Sequence, residues 1–268
     1  MLCSLEKNIL LAIDVGNSRI KYGLFIESFD SKTNRLPLCS QKITMGIDEP
    51  LLWDDLLADV PREKWASIRS LIAGANPVGI QKICNHWQKD IPAAQVVSQS
   101  KSLPIKNGTK EPENVGIDRL LNGVAVNHIR PPETPAIIID SGTATTVDLI
   151  SSEGTFEGGA ILPGFELSAF SLHHYTKLLP LLSMKELTSQ QTLPYGQNTS
   201  AALQSGILWG QVGAIKELIL QIQSTLSRQA AIYLTGGGAT LLAPHLTFTQ
   251  YVPDLSLQGL ALVPNYEA

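Results

Sequence analysis

The sequence predicts an α/β fold made of two similar halves. Apolar runs of strand length alternate with stretches whose apolar residues recur at helical spacing. One strand–turn–strand pattern, with a carboxylate at its tip, occurs twice. Composition permits a sizeable core, since 44% of the 268 residues are hydrophobic and only 16% are charged, unlike a disordered chain.

The first run, Asn8-Ile-Leu-Leu-Ala-Ile-Asp14, reads as a buried strand entering a turn at Val15-Gly16-Asn17-Ser18. Beyond the turn, Ile20, Tyr22 and Leu24 alternate with Arg19, Lys21 and Gly23, the period of a returning strand, so Asn8 to Phe25 forms a hairpin. Pro50 to Ser70 reads as helix-prone, with Leu51, Leu52, Leu56, Leu57 and Trp65 spaced for one face. Leu71 to Gly74 reads as a short strand, Val78 to Lys89 as a helix, and residues 99–114, with Lys101, Pro104, Gly108, Lys110 and Pro112, as a polar loop. Arg119 to His128 reads as a helix that turns Leu120, Leu121, Val124 and Ala125 inward.

The hairpin pattern then returns at Pro135 to Asp140, with a turn at Ser141-Gly142-Thr143-Ala144 and a second strand from Thr146 to Ile150. Aligning Asp14 with Asp140 (140 − 14 = 126 positions) also aligns Gly16 with Gly142 and Asn17 with Thr143. This echo predicts duplicated halves, 1–117 and 118–268. Thr199 to Leu226 is the strongest helical candidate. Its Gly206, Gly210 and Gly213 disfavour a helix, so close packing against another backbone is expected there. Ala230 to Leu234 reads as a strand leading into Thr235-Gly236-Gly237-Gly238, with a helix from Thr240.

A net charge of -4 excludes nucleic acid as the main partner, because phosphate backbones demand a basic footprint. Cys3, Cys39 and Cys84 share no metal-ligand or disulfide spacing, as expected of reduced thiols in a cytoplasmic protein. The apolar run Ile9 to Ile13, broken by Asp14, is too short for a signal-peptide core or a membrane span.

Glycine turns with hydroxyl or amide neighbours can aim several backbone N–H groups at one phosphate. Asp14 and Asp140 would then lie beside the phosphates, an arrangement that calls for cations in between; Mg²⁺ is typically held by one or two carboxylates plus phosphate oxygens. The cluster Gly236 to Gly238 lets a flat ligand approach backbone, although a sharp turn explains it nearly as well. In Gly116-Ile117-Asp118-Arg119 the acid could cap the following helix, or act as a base toward a hydroxyl beside a guanidinium fork for a carboxylate or phosphate. No P-loop motif is present.

The motifs Asp14-Val-Gly-Asn-Ser18, Gly116-Ile-Asp-Arg119, Asp140-Ser-Gly-Thr143, Gly158-Gly-Ala-Ile-Leu-Pro-Gly164, Gly196-Gln-Asn-Thr199 and Thr235-Gly-Gly-Gly238 together resemble type III pantothenate kinase from end to end. The resemblance implies the actin-like ATPase fold, in which two α/β halves clamp ATP, and phosphorylation of pantothenate at the first step of coenzyme A synthesis. It also implies residue roles. Asp14, Val15, Gly16, Asn17, Ser18, Arg19, Ile20 and Lys21 would bind the ATP phosphates, with Thr143 contacting them from the second half. Asp118 would be the catalytic base. Gly116, Ile117, Asp118, Arg119 and Thr199 would hold pantothenate. Asp140 would ligate a monovalent cation, potassium or ammonium, required beside Mg²⁺. A homodimer with its site near the subunit interface is implied as well. Two departures stand out: Ser18 replaces a frequent threonine, and Thr109 lies where members often carry a substrate-contacting tyrosine. The alternatives are another actin-like small-molecule kinase, which would lack the Gly-Ile-Asp-Arg set, and an inactive regulatory relative such as Bvg accessory factor.

Overall fold

The computed structural model describes residues 9–26, 34–51, 53–98, 103–188 and 192–263. Cys3, Asn8, Leu52 and residues 99–102 of the expected polar loop lie outside them. The chain forms two compact units, one from residues up to Ile129 together with those from Leu255 onward, the other from Arg130 to Asp254.

The first unit holds a sheet of β1 (Leu10–Val15), β2 (Arg19–Phe25), β3 (Gln41–Gly46), β4 (Arg69–Gly74) and β5 (Gln95–Val96), in the order β3-β2-β1-β4-β5. The second holds β6 (Ala136–Ser141), β7 (Ala144–Ile150), β8 (Phe156–Pro163), β9 (Ala231–Thr235) and β10 (Gln250–Tyr251), in the order β8-β7-β6-β9-β10. The two orders are equivalent, and so are the strand senses. β1 and β6 each pair antiparallel with the strand that follows and parallel with a strand reached by a crossover. The echo read from two hairpins thus extends to entire sheets.

Leu11, Ala12 and Ile13 of β1, like Ile137, Ile138 and Ile139 of β6, are wholly buried. A strand covered on both faces reads as an unbroken apolar run rather than an alternation. In the first unit the covering helices are α1 (Trp53–Leu56), α2 (Pro77–Asn85), α3 (Ile117–Ile129) and α8 (Leu255–Leu262); in the second they are α4 (Phe165–His174), α5 (Met184–Thr188), α6 (Thr199–Ser224) and α7 (Ala239–Leu242). Asn76 and Asn198 cap α2 and α6, accepting from the N–H groups of Gly79 and Ala201 at 2.9 Å each. No helix among the described residues is long and apolar enough to cross a membrane.

Three expectations need correction. The described residues of 50–70 hold no long helix, only α1 and a 3₁₀ turn at Arg62–Ser67 ahead of β4. Pro61 sits between the two and supplies no backbone donor. The apolar spacing reflects burial all the same, since Leu56, Leu57 and Trp65 are core residues. Among the described residues of the chain itself the glycines of α6 do not approach backbone either: a Cβ built on Gly206, Gly210 or Gly213 meets nothing within 4 Å. They lie exposed on the face opposite Leu208, Ile215 and Ile219. The units also differ from the halves 1–117 and 118–268. Helix α3 packs against α8 and β4, so residues 117–129 stay with the first sheet, and α8 returns to it from the far end of the chain.

Candidate active site

In the first hairpin the turn closes with Gly16 N–H donating to Arg19 O at 2.9 Å. Asn17, Ser18 and Arg19 are exposed at the tip, while Val15 and Ile20 are buried beneath it. Asp14, 5% exposed, pairs across the ladder with Lys21. Its Oδ2 accepts from Lys21 Nζ at 3.5 Å and from Ser256 Oγ of α8 at 2.6 Å. The neighbouring Tyr22 points into the core, where burial pushes its hydroxyl up to about 12. It therefore stays neutral and adds no charge beside Asp14.

Gly74 ends β4 opposite Val15, and a Cβ there would stand 2.2 Å from Val15 O. Gly236 follows β9 at the equivalent place, since Asp14 pairs with Ala73 and Asp140 with Thr235. Its φ of 94° is natural only for glycine, and a Cβ would fall 2.4 Å from Asp140 Oδ1. The glycine turn after β9 thus has a counterpart after β4. Sequence reading missed it because a single glycine there lacks the flag of three in a row.

Gly116-Ile117-Asp118-Arg119 forms the start of α3. Asp118 Oδ1 accepts from Arg119 N–H at 2.9 Å, and Arg119 N–H also approaches Gly116 O at 3.2 Å. A Cβ on Gly116 would meet Asp118 Oδ1 at 2.6 Å, so glycine makes room for that carboxylate. Ile117 is buried and anchors the turn, while Asp118 and Arg119 remain half-exposed. Thr109 donates its hydroxyl to Asn107 Oδ1 at 2.8 Å, and Asn107 Nδ2 reaches Pro112 O at 3.3 Å. The residue in the tyrosine position is thus part of a tight asparagine-centred turn.

In the second hairpin Gly142 N–H donates to Ala144 O at 2.9 Å, and Thr143 is exposed at the tip. Asp140 is half-buried. Gly164 N–H donates to Thr143 O at 3.0 Å, and a Cβ on Gly164 would lie 2.3 Å from Gly142 O. The last glycine of the Gly158–Gly164 motif therefore supports the turn. From α6, the Gln211 amide donates to Pro163 O, adding a prop that no sequence motif announces. Thr199, the first residue of α6, is exposed.

The residues read from sequence therefore fall into two sets. Asp14 to Lys21 and Gly116 to Arg119 belong to the first unit, and Asp140, Thr143 and Thr199 to the second. Among the described residues no group of three His, Cys, Asp or Glu side chains could hold a metal ion. Asp14 and Asp140 are single carboxylates, a donor set suited to a cation that takes its remaining ligands from phosphate oxygens and water.

A family profile for type III pantothenate kinase matches residues 10–221. The chain belongs to that family. It is 33% identical over 262 residues to a type III pantothenate kinase of Gluconobacter oxydans, covering 96% of this chain and 93% of that one. It is 31% identical over 258 residues to one of Acidiphilium cryptum, covering 94% and 93%. Among solved structures, one described as a Baf family transcriptional activator from Campylobacter jejuni matches with a TM-score of 0.59 at 20% identity, over 96% of this chain and 100% of that one. Another, described as a 2-dehydro-3-deoxygalactonokinase from Sinorhizobium meliloti, matches with a TM-score of 0.53 at 14% identity, over 96% and 98%. The fold is thus that of the actin-like ATPases and sugar kinases.

Proposed function

We propose that the protein transfers the γ-phosphoryl group of ATP to the primary hydroxyl of pantothenate, giving 4′-phosphopantothenate and ADP at the first step of coenzyme A synthesis. The observation that carries this reading is the Gly116–Arg119 turn in a chain of this family: an acid and a guanidinium, both half-exposed, side by side at the start of α3.

Phosphoryl transfer passes through a loose transition state, so positioning and charge neutralisation supply most of the acceleration. The hydroxyl oxygen bonds to the γ-phosphorus as the bond to the β–γ bridging oxygen breaks. Asp118 orients the hydroxyl and takes its proton late in the step. Arg119 suits the pantothenate carboxylate, because its planar fork can hold two oxygens at once. Gly116, Ile117 and Thr199 complete the substrate contacts. The first turn, Asp14 to Lys21, holds ATP phosphates through backbone N–H groups and the Lys21 charge, and Thr143 contributes its hydroxyl. Asp14 fits Mg²⁺ as one carboxylate among phosphate oxygens, and Asp140 fits potassium or ammonium; bound there, the cations offset charge on the phosphates.

The protein works in the cytoplasm as a homodimer. In support of the dimer, Phe170, Tyr175 and Leu178 on and just after α4 are large and exposed, as is the glycine face of α6. Apolar surface of this kind is commonly covered by a partner.

Asp118→Asn tests the reading. Turnover of pantothenate is expected to fall by roughly 10²–10⁴-fold, the usual loss for a positioned base, with ATP binding little changed. Near wild-type turnover in this variant would reduce Asp118 to a helix-start residue and remove the assignment.

A further inference from the structure

Helix α8 is apolar almost throughout, with Leu255, Leu257, Leu260 and Leu262 wholly buried. Two polar positions break the run, Ser256 and Gln258. Ser256 is only 3% exposed, and serine inside a buried helix commonly turns its hydroxyl back onto the preceding turn. Here it donates instead to Asp14 Oδ2 at 2.6 Å, across 242 positions of sequence. That is the short distance of an O–H bonded to a carboxylate, one of the stronger protein hydrogen bonds. The other contact to Asp14, from Lys21, is longer at 3.5 Å, and the Lys21 side chain is 30% exposed. The serine is therefore the tighter and better shielded partner. Both contacts use Oδ2, and Oδ1 has no protein partner among the described residues.

We infer that Ser256 is a positioning residue for phosphoryl transfer, fixing the Asp14 carboxylate so that one oxygen stays available to the ATP side of the reaction. The inference rests on the reading of Asp14 as a phosphate-side carboxylate. Helix α8 has little freedom to shift. A Cβ on Gly259 would stand 2.0 Å from Leu121 O of α3, so the two helices touch backbone to backbone. Leu257 lies against Gly23 of β2, and Gln258 Nε2 donates to Pro37 O at 3.1 Å. The helix that orients Asp14 thus rests on the helix whose first turn carries Asp118. A segment near the end of the chain ties both motifs of the first unit to one support.

The test compares Ser256→Ala, Ser256→Thr, Asp14→Ala and the double variant Asp14→Ala/Ser256→Ala in the full chain. Alanine removes only the hydroxyl and favours helix, so Ser256→Ala should still fold, with its thermal midpoint lowered only by the loss of one hydrogen bond to a buried carboxylate. Its turnover is expected to fall by about 10- to 100-fold, the range for a lost hydrogen bond to a charged group, at unchanged KM for pantothenate. Calorimetric affinity for a non-hydrolysable ATP analogue with Mg²⁺ should weaken, and Ser256→Thr should restore most of both. In the Asp14→Ala background, Ser256→Ala should cost nothing further. Wild-type turnover and analogue affinity in Ser256→Ala, with Asp14→Ala impaired, overturns the role of Ser256 and leaves the Asp14 reading standing. An equal loss in both backgrounds also overturns it, because the serine would then act elsewhere. Full activity in Asp14→Ala removes the Asp14 reading and this inference with it.

Discussion

Asp14 and Asp140 hold the same place in two equivalent sheets but face different neighbours. The ladder partner of Asp14 is Lys21, which brings a cation into contact; the ladder partner of Asp140 is Thr146, which is uncharged and donates to Asp148 at 2.9 Å. In the proposed reading the Asp140 carboxylate faces the phosphates, where a bound cation offsets negative charge. Asp140→Ala is therefore expected to abolish stimulation by potassium or ammonium and most of the activity, while residual turnover still requires Mg²⁺. Rates measured against potassium concentration check this, and equal potassium dependence in wild type and variant would sink the assignment. Asp14, Asp118 and Asp140 were legible as candidates in the sequence because each lies at a short glycine-marked turn. Ser256 was not, since nothing in an apolar helix 242 residues away points back to Asp14.

At the scale of elements, legibility followed burial. β1 and β6 announced themselves as unbroken apolar runs because both of their faces are covered. The outer strands β3 and β8 were not read. β3 alternates Lys42 and Thr44 with Ile43 and Met45, a signal that was available, whereas the glycines of β8 dilute its pattern. The segment 50–70 shows the opposite error, since apolar spacing reported core contacts without a continuous helix. In α6 the glycines predict close packing, yet their missing side chains face open space within the described chain. Gly210→Leu should therefore fold without a clash and gain about 0.5–1 kcal/mol of helix stability per glycine replaced. If a second subunit lies on that face, the variant shifts toward monomer in sedimentation and loses pantothenate affinity while keeping nucleotide binding. An unchanged dimer would place the interface elsewhere.

The whole molecule is one sheet design used twice, with α8 carrying the end of the chain back to the first sheet. The two hairpins made the duplication legible. The return of α8 was not, because a short apolar helix carries no mark of the sheet it joins. Duplication also explains why the candidate residues are scattered over more than half the sequence: each hairpin turn belongs to its own sheet, and the Gly116–Arg119 turn precedes the passage from one unit to the other. The decisive measurement is mass-resolved product formation from ATP, Mg²⁺ and pantothenate, with and without potassium. The expected result is 4′-phosphopantothenate formed together with ADP, strongly stimulated by potassium and absent when pantothenate is omitted. No phosphorylated pantothenate from properly folded, potassium-supplied protein would contradict the proposed function.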